Sequence, residues 1–136
     1  MRAQHPVIRE VIDLHDFFEA WLGGALPEND AEFSRFTAAT APDFTLISTE
    51  GEEMAYDAVS TWIRQAHHTR PGFRLWTTDH RIRYSDEQNV LVTYAEWQER
   101  DGVTTRRISS AWFTASSAAP NGFLWRHVHE TWIAPG

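Results

Sequence analysis

The chain has 136 residues, short enough for one domain, and its 42% hydrophobic and 23% charged residues match ordinary globular usage. Nineteen acidic against 12 basic residues give a net charge of −7, which argues against general nucleic-acid binding, and the lack of Cys excludes disulfide and thiolate chemistry. No apolar run approaches membrane-spanning length, and the first residues lack a basic segment followed by an apolar one, so a cytoplasmic protein without a membrane partner is expected. Seven Trp and eight Phe predict a core of large side chains or a pocket lined by rings.

His5-Pro6 opens a first helix, with Pro suited to the first helical position. Val7, Val11, Leu14, Phe18 and Trp21 follow three- and four-residue spacing, Ile8, Ile12, His15 and Leu22 widen the stripe, and Gly23-Gly24 ends it. His15 therefore lies on the buried side, either as a core histidine with a hydrogen bond or as a polar group pointing into a pocket. Asn29 caps a second helix with Glu32 three residues on, Phe33, Phe36 and Thr40 form its face, and Ala41-Pro42 stops it. Phe44 to Thr49 reads as a short strand turned by Glu50-Gly51, and a third helix spans roughly 55–67. Residues 73–84 alternate as one long strand, with Asp79-His80 marking a bend or bulge.

The last third is the most informative. Strands are expected at 90–98, 105–113 and 123–133, all rich in β-branched and aromatic residues. Asp101-Gly102 suits a two-residue type I′ turn. That turn sets Gln98 opposite Thr105, Glu96 opposite Arg107 and Tyr94 opposite Ser109, so one face carries Tyr94, Glu96, Gln98, Arg107 and Ser109. The other carries Trp97, Ile108 and Trp112; neither face is wholly apolar, which predicts a partner on each. In the final strand Trp125, His127, His129 and Thr131 share one face, and Arg126, Val128, Glu130 and Trp132 the other. Helices segregated from strands give an α+β class, an antiparallel sheet with about three helices on one face, in a single domain over residues 1–136.

The element order, Trp21-Leu22-Gly23, Ala41-Pro42-Asp43-Phe44-Thr45-Leu46-Ile47, Tyr94-Ala95-Glu96, Arg107-Ile108-Ser109-Ser110-Ala111 and Trp125-Arg126-His127-Val128-His129-Glu130 resemble the nuclear transport factor 2-like superfamily, in its SnoaL-like branch. The resemblance spans nearly the whole chain. It implies a cone-shaped fold in which a curved antiparallel sheet and its helices enclose a cavity, and pairing as a homodimer through the outer sheet face. It also implies that the face of Tyr94, Glu96 and Arg107 lines that cavity, with His129 beside Arg107 and His127 beside Ser109. Glu96 stands where the association domain of calcium/calmodulin-dependent protein kinase has an arginine, and the ketosteroid isomerase tyrosine and aspartate have no counterpart.

Such a cavity suits a small apolar ligand with a carbonyl or carboxylate. In one reading Glu96, Arg107 and His129 are catalytic: base, oxyanion holder and proton carrier of an isomerase, dehydratase or cyclase that needs no cofactor. His15, Tyr94, Ser109 and His127 would then contact ligand. In the alternative, the same cavity serves a non-catalytic binding or dimerisation domain, and Glu96–Arg107 is an ion pair filling a polar gap. His127-x-His129 with Glu96 is the one metal-like grouping; its spacing is common and no metal is expected.

Overall fold

The computed structural model describes residues 4–134. Three helices, α1 (Pro6–Gly23), α2 (Asp30–Thr37) and α3 (Tyr56–Gln65), accompany six strands: β1 (Thr40–Ile47), β2 (Glu53–Ala55), β3 (Arg74–Ser85), β4 (Asn89–Arg100), β5 (Val103–Ala115) and β6 (Phe123–Trp132). One sheet in the order β2-β1-β6-β5-β4-β3 results. It is antiparallel throughout except where β1 runs parallel to β6. The final strand therefore lies inside the sheet, between β1 and β5. No described helix is long and apolar enough to cross a membrane.

Local chemistry accounts for the element ends. Asn29 Oδ1 accepts the Glu32 N–H at 2.9 Å, the expected cap of α2. α1 ends at Gly24, whose φ of +85° suits glycine, and an added Cβ would run into the His68 ring. Pro42 does not separate helix from strand as expected. The chain is already extended from Thr40, and Pro42 falls in the irregular stretch of β1 between its Thr40 and Thr45 pairings with β6, where a missing N–H breaks no ladder. β2 was not foreseen; three residues carry too little pattern to show alternation.

The register of β4 on β5 follows from the turn. Asp101 and Gly102 have φ of +53° and +78°, as type I′ geometry requires, and Glu96 faces Arg107 while Tyr94 faces Ser109. β3 bends at Asp79, at φ +57°, where its pairing with β4 shifts between Thr78 and Arg81. β6 carries a second bulge at Arg126, so that Trp112 faces His127 while Phe113 faces Trp125.

α1 lies across one face of the sheet and buries Val7, Val11, Leu14, Phe17, Trp21 and Leu22. A fully buried carboxylate, Glu10, pins it there. Arg35 of α2 donates to both Glu10 oxygens at 2.6 and 3.2 Å, and Trp125 Nε1 and Asn121 Nδ2 donate at 2.9 and 3.0 Å. A buried charge satisfied this fully ties α1, α2, β6 and the loop before β6 into one arrangement.

Candidate functional site

Two rows of side chains cross the sheet under α1. Glu96, Arg107 and Trp132 are direct neighbours on β4, β5 and β6, and Tyr94, Ser109 and Glu130 form the adjacent row. His15 reaches down from α1 to Glu96, with Nε2 2.9 Å from Oε1. The second Glu96 oxygen accepts from Gln98 Nε2 at 2.7 Å and lies 3.6 Å from Arg107 Nε. Arg107 also donates through Nη1 to Glu130 Oε2 at 3.4 Å, and its guanidinium sits 4.6 Å from the Trp132 ring centre. A guanidinium, an imidazole and two carboxyl groups thus share one buried cluster.

Electrostatics divides the two carboxyls. Burial alone would raise Glu96, but the His15 hydrogen bond and charge, followed by Arg107 and Gln98, hold it well below the usual carboxylate range. Glu130 goes the other way: burial, then the Glu96 charge, push it up to about 7 against Arg107 and His15. For His15, burial favours the neutral ring, and the hydrogen bond and charge of Glu96 outweigh it, so its pKa is raised. The geometry agrees, because Nδ1 faces the Val11 carbonyl at 2.7 Å while Nε2 faces the carboxylate, and both partners accept. Glu96 is therefore a fixed anion with both oxygens engaged, and Glu130 is the carboxyl that changes state near neutral pH.

The cluster forms the polar end of a pocket of about 590 Å³, a size typical of small-ligand sites. Phe18, Phe36, Phe44, Met54, Phe73 and Leu75 supply much of its apolar wall, with Trp62, Arg70, Glu50 and Trp132 also lining it. The distribution of aromatic residues along α1 explains part of this: Phe17 is buried in the core, and its neighbour Phe18 turns to the pocket.

Of the residues singled out from sequence, His15, Tyr94, Glu96 and Arg107 all line the pocket. Ser109 is on the same sheet face but fully buried beneath the lining, and its Oγ has no well-formed hydrogen bond among the described residues. His127 and His129 are elsewhere. The expected register of β6 is three residues out: Trp132 rather than His129 faces Arg107, and Glu130 rather than His127 faces Ser109, so that His129 faces Ser110 and His127 faces Trp112, on the opposite side of the sheet. There His127 Nδ1 meets the Thr45 hydroxyl at 2.7 Å, and His129 is exposed. Glu130 occupies the place expected for a histidine, and Val128 and Trp132, expected on the outer face, turn to the pocket. With a side-chain period of two, any odd shift of register exchanges every side chain between faces. Since Glu96 is inside and the two histidines outside, the three do not converge on a metal.

Glu130 and Arg70 are among the polar lining residues that sequence reasoning missed, Ser48, Thr49, Glu50 and Glu52 being others. The clue to Glu130 was the pair Trp125 and Val128. Both are apolar and both are buried, yet a spacing of three needs a bulge between them, which places Glu130 and Trp132 inward as well.

Solved structures share this architecture. An NTF-2 like protein of unknown function from Pseudomonas aeruginosa matches with a TM-score of 0.85 at 22% identity, covering 95% of this chain and 99% of its own. The S. rosetta CaMKII hub matches with a TM-score of 0.72 at 14% identity, covering 98% of this chain and all of its own. The chain thus has the nuclear transport factor 2-like fold, α+β with three helices on a six-stranded sheet. Among curated relatives, sucrose-phosphatase 1 of Nicotiana tabacum is 28% identical over 131 residues, 91% of this chain and 30% of the relative. Probable sucrose-phosphatase 2 of Arabidopsis thaliana is 25% identical over 125 residues, 90% of this chain and 29% of the relative. The chain spans less than a third of the length of these two proteins. The model of the sucrose-6-phosphate phosphohydrolase C-terminal family matches residues 7–134, and the chain belongs to that family.

Proposed function

We propose that this chain is a small-molecule-binding domain that also pairs with a second copy of itself. The observation that carries the binding reading is the charged cluster of His15, Glu96, Arg107 and Glu130 at the end of a largely apolar pocket. A core built only for stability gains little from burying four ionisable groups, because desolvation offsets most of their attraction. A ligand with a polar head and a larger body uses both parts of such a pocket. The names of the relatives make sucrose and sucrose 6-phosphate the first ligands to try. Isothermal titration of both against wild type and Arg107→Met tests the reading. Binding by the wild type, weakened about tenfold or more in the variant, is the expected result, equivalent to about 1.4 kcal/mol. No heat with these sugars and no small molecule retained in native mass spectra would remove it.

A second reading rests on Glu130. A carboxyl raised to about 7 and facing a pocket is suited to proton transfer near neutral pH, with Arg107 beside it to stabilise developing negative charge. That supports a cofactor-independent isomerase, dehydratase or cyclase, with Glu130 rather than His129 carrying the proton. Turnover lost in Glu130→Gln while ligand affinity stays within about threefold would favour this reading over simple binding.

Self-association is supported by the outer face of the sheet. Ile108, Trp112 and Leu91 are exposed there, beside the stacked pair Trp76–Trp97. Neighbours in fold include the association domain of C. elegans CaMKII, with a TM-score of 0.62. The expected arrangement is a homodimer through this face.

A further inference from the structure

Arg70 is the unusual cation of the pocket. Its backbone is fixed, since its N–H donates to the Leu22 carbonyl at 2.9 Å and its carbonyl accepts from Phe73 at 3.1 Å. Its guanidinium lies 5.8 Å from the Trp62 ring centre and 5.2 Å from that of Phe73, and all three residues line the pocket. Arg107 is matched by Glu96 and Glu130, whereas Arg70 has no carboxylate within ion-pair distance among the described residues. Burial, and then the charges of Arg100 and Arg107, work against its protonated form. The two carboxylates at the mouth do not answer this: Glu50 is exposed and already accepts from Thr49 and Trp132, and Glu52 is exposed. A half-buried guanidinium in positive surroundings, set against two rings and without a counter-charge among the described residues, is placed to take an anion from solution.

We propose that the pocket takes an organic anion, a phosphomonoester or carboxylate carried on a ring or apolar body, and that Arg70 is the residue that recognises its charged head. This rests on the reading of the pocket as a ligand site. The rings of Trp62 and Phe73 lie within cation–π distance of the guanidinium, and its N–H groups make no side-chain hydrogen bond among the described residues, which leaves them for the ligand oxygens. Arg107 supplies additional positive field from the same cavity, and the apolar wall takes the body.

The test uses three small probes of similar body: phenyl phosphate, phenylacetate and the uncharged 2-phenylethanol, titrated at pH 7 into wild type, Arg70→Met and Arg70→Lys. In wild type at least one anion should bind about tenfold or more tightly than the alcohol. Arg70→Met should lower the affinity for that anion about tenfold or more and leave the alcohol unchanged, and Arg70→Lys, which keeps the charge but not the planar fork, should restore only part of it. Thermal melts of the two variants within a few degrees of wild type exclude unfolding as the cause. Equal binding of alcohol and anions, or anion affinity unchanged in Arg70→Met, overturns the anion assignment and leaves the pocket a ligand site. Absence of binding by all three probes overturns the anion assignment, and the sugar titrations and native mass spectra then decide whether the pocket is a ligand site. If phenyl phosphate binds and phenylacetate does not, the head is a phosphomonoester; the reverse makes it a carboxylate.

Discussion

Arg107 is the residue on which the buried cluster depends. Removing one member of a buried charge group costs about 3–5 kcal/mol, and because His15 and Gln98 still hold Glu96, Arg107→Met should fall at the lower end, about 3 kcal/mol at pH 8. At pH 5.5 Glu130 is protonated, its repulsion with Glu96 is gone, and the loss should be smaller. Adding Glu96→Gln to Arg107→Met should recover part of it. Denaturant melts at the two pH values measure all of this, and a single variant as stable as wild type would mean that the charges are solvated. Glu130 sets a second expectation. Its value in the fold, about 7, is above the ordinary 4.5, so the neutral form favours folding. That contribution, on the order of 3 kcal/mol, is complete below the ordinary value and lost as pH rises through 7. His15 acts in the same direction, since its pKa is raised too: its contribution is present below 6.5 and lost at higher pH. Glu96, held low, contributes above 4.5 and loses this only in acid. Stability should therefore decline between pH 5 and 8, and Glu130→Gln should flatten the decline; a slope unchanged in that variant would assign the effect to His15 alone.

At the scale of elements, the turn between β4 and β5 is the most strongly specified part of the chain. An added Cβ at Gly102 meets nothing within 4 Å, so Gly102→Ala isolates backbone strain at φ +78° and should cost about 1 kcal/mol in a urea melt. A cost near zero would mean that the hairpin relaxes into another turn type. This local rule is why the Glu96–Arg107 pair and the Tyr94–Ser109 pair were legible in the sequence: a two-residue loop leaves no freedom in the register. The β5–β6 register was not legible. Ser116 to Gly122 gives no such rule, and the bulge at Arg126 shifts everything after Trp125 by one residue. Strand alternation correctly grouped Val128, Glu130 and Trp132, and His127 with His129, but it wrongly placed Trp125 with the histidines because it missed the bulge, and the loop hid which group faced inward. β3 was readable, bend included, because Asp79-His80 interrupts its alternation. The parallel pairing of β1 with β6 is a long-range contact that leaves no local trace. Arg70 falls in the connection between α3 and β3, and nothing in its sequence neighbourhood shows that the fold turns it into a pocket.

Over the whole molecule, one sheet face is covered by helices and the other is open, and the open face decides how the protein behaves in solution. Leu91, Ile108 and Trp112 are 37%, 44% and 40% exposed there, too much contiguous apolar surface to leave in water without consequence. Four strands about 4.8 Å apart and roughly ten residues long span on the order of 600 Å², approaching the roughly 800 Å² per partner of a standard interface. The overall charge of −7 opposes association, but this face carries cations as well: Arg106 lies over Trp97, and Arg126, paired with Asp43, lies over Trp112. Those cations flank the apolar centre and keep it from sticking indiscriminately, as polar rims do around specific interfaces. Light scattering coupled to gel filtration should therefore give twice 15.7 kDa at micromolar concentration. Ile108→Arg places a charge at the centre of the patch, where in a two-fold interface it meets or nears its own copy, and should yield a folded monomer. A wild-type monomer removes the proposed dimer. A dimer that survives Ile108→Arg unchanged moves the interface to another surface, and the exposed Trp112 and Leu91 would then need a different partner.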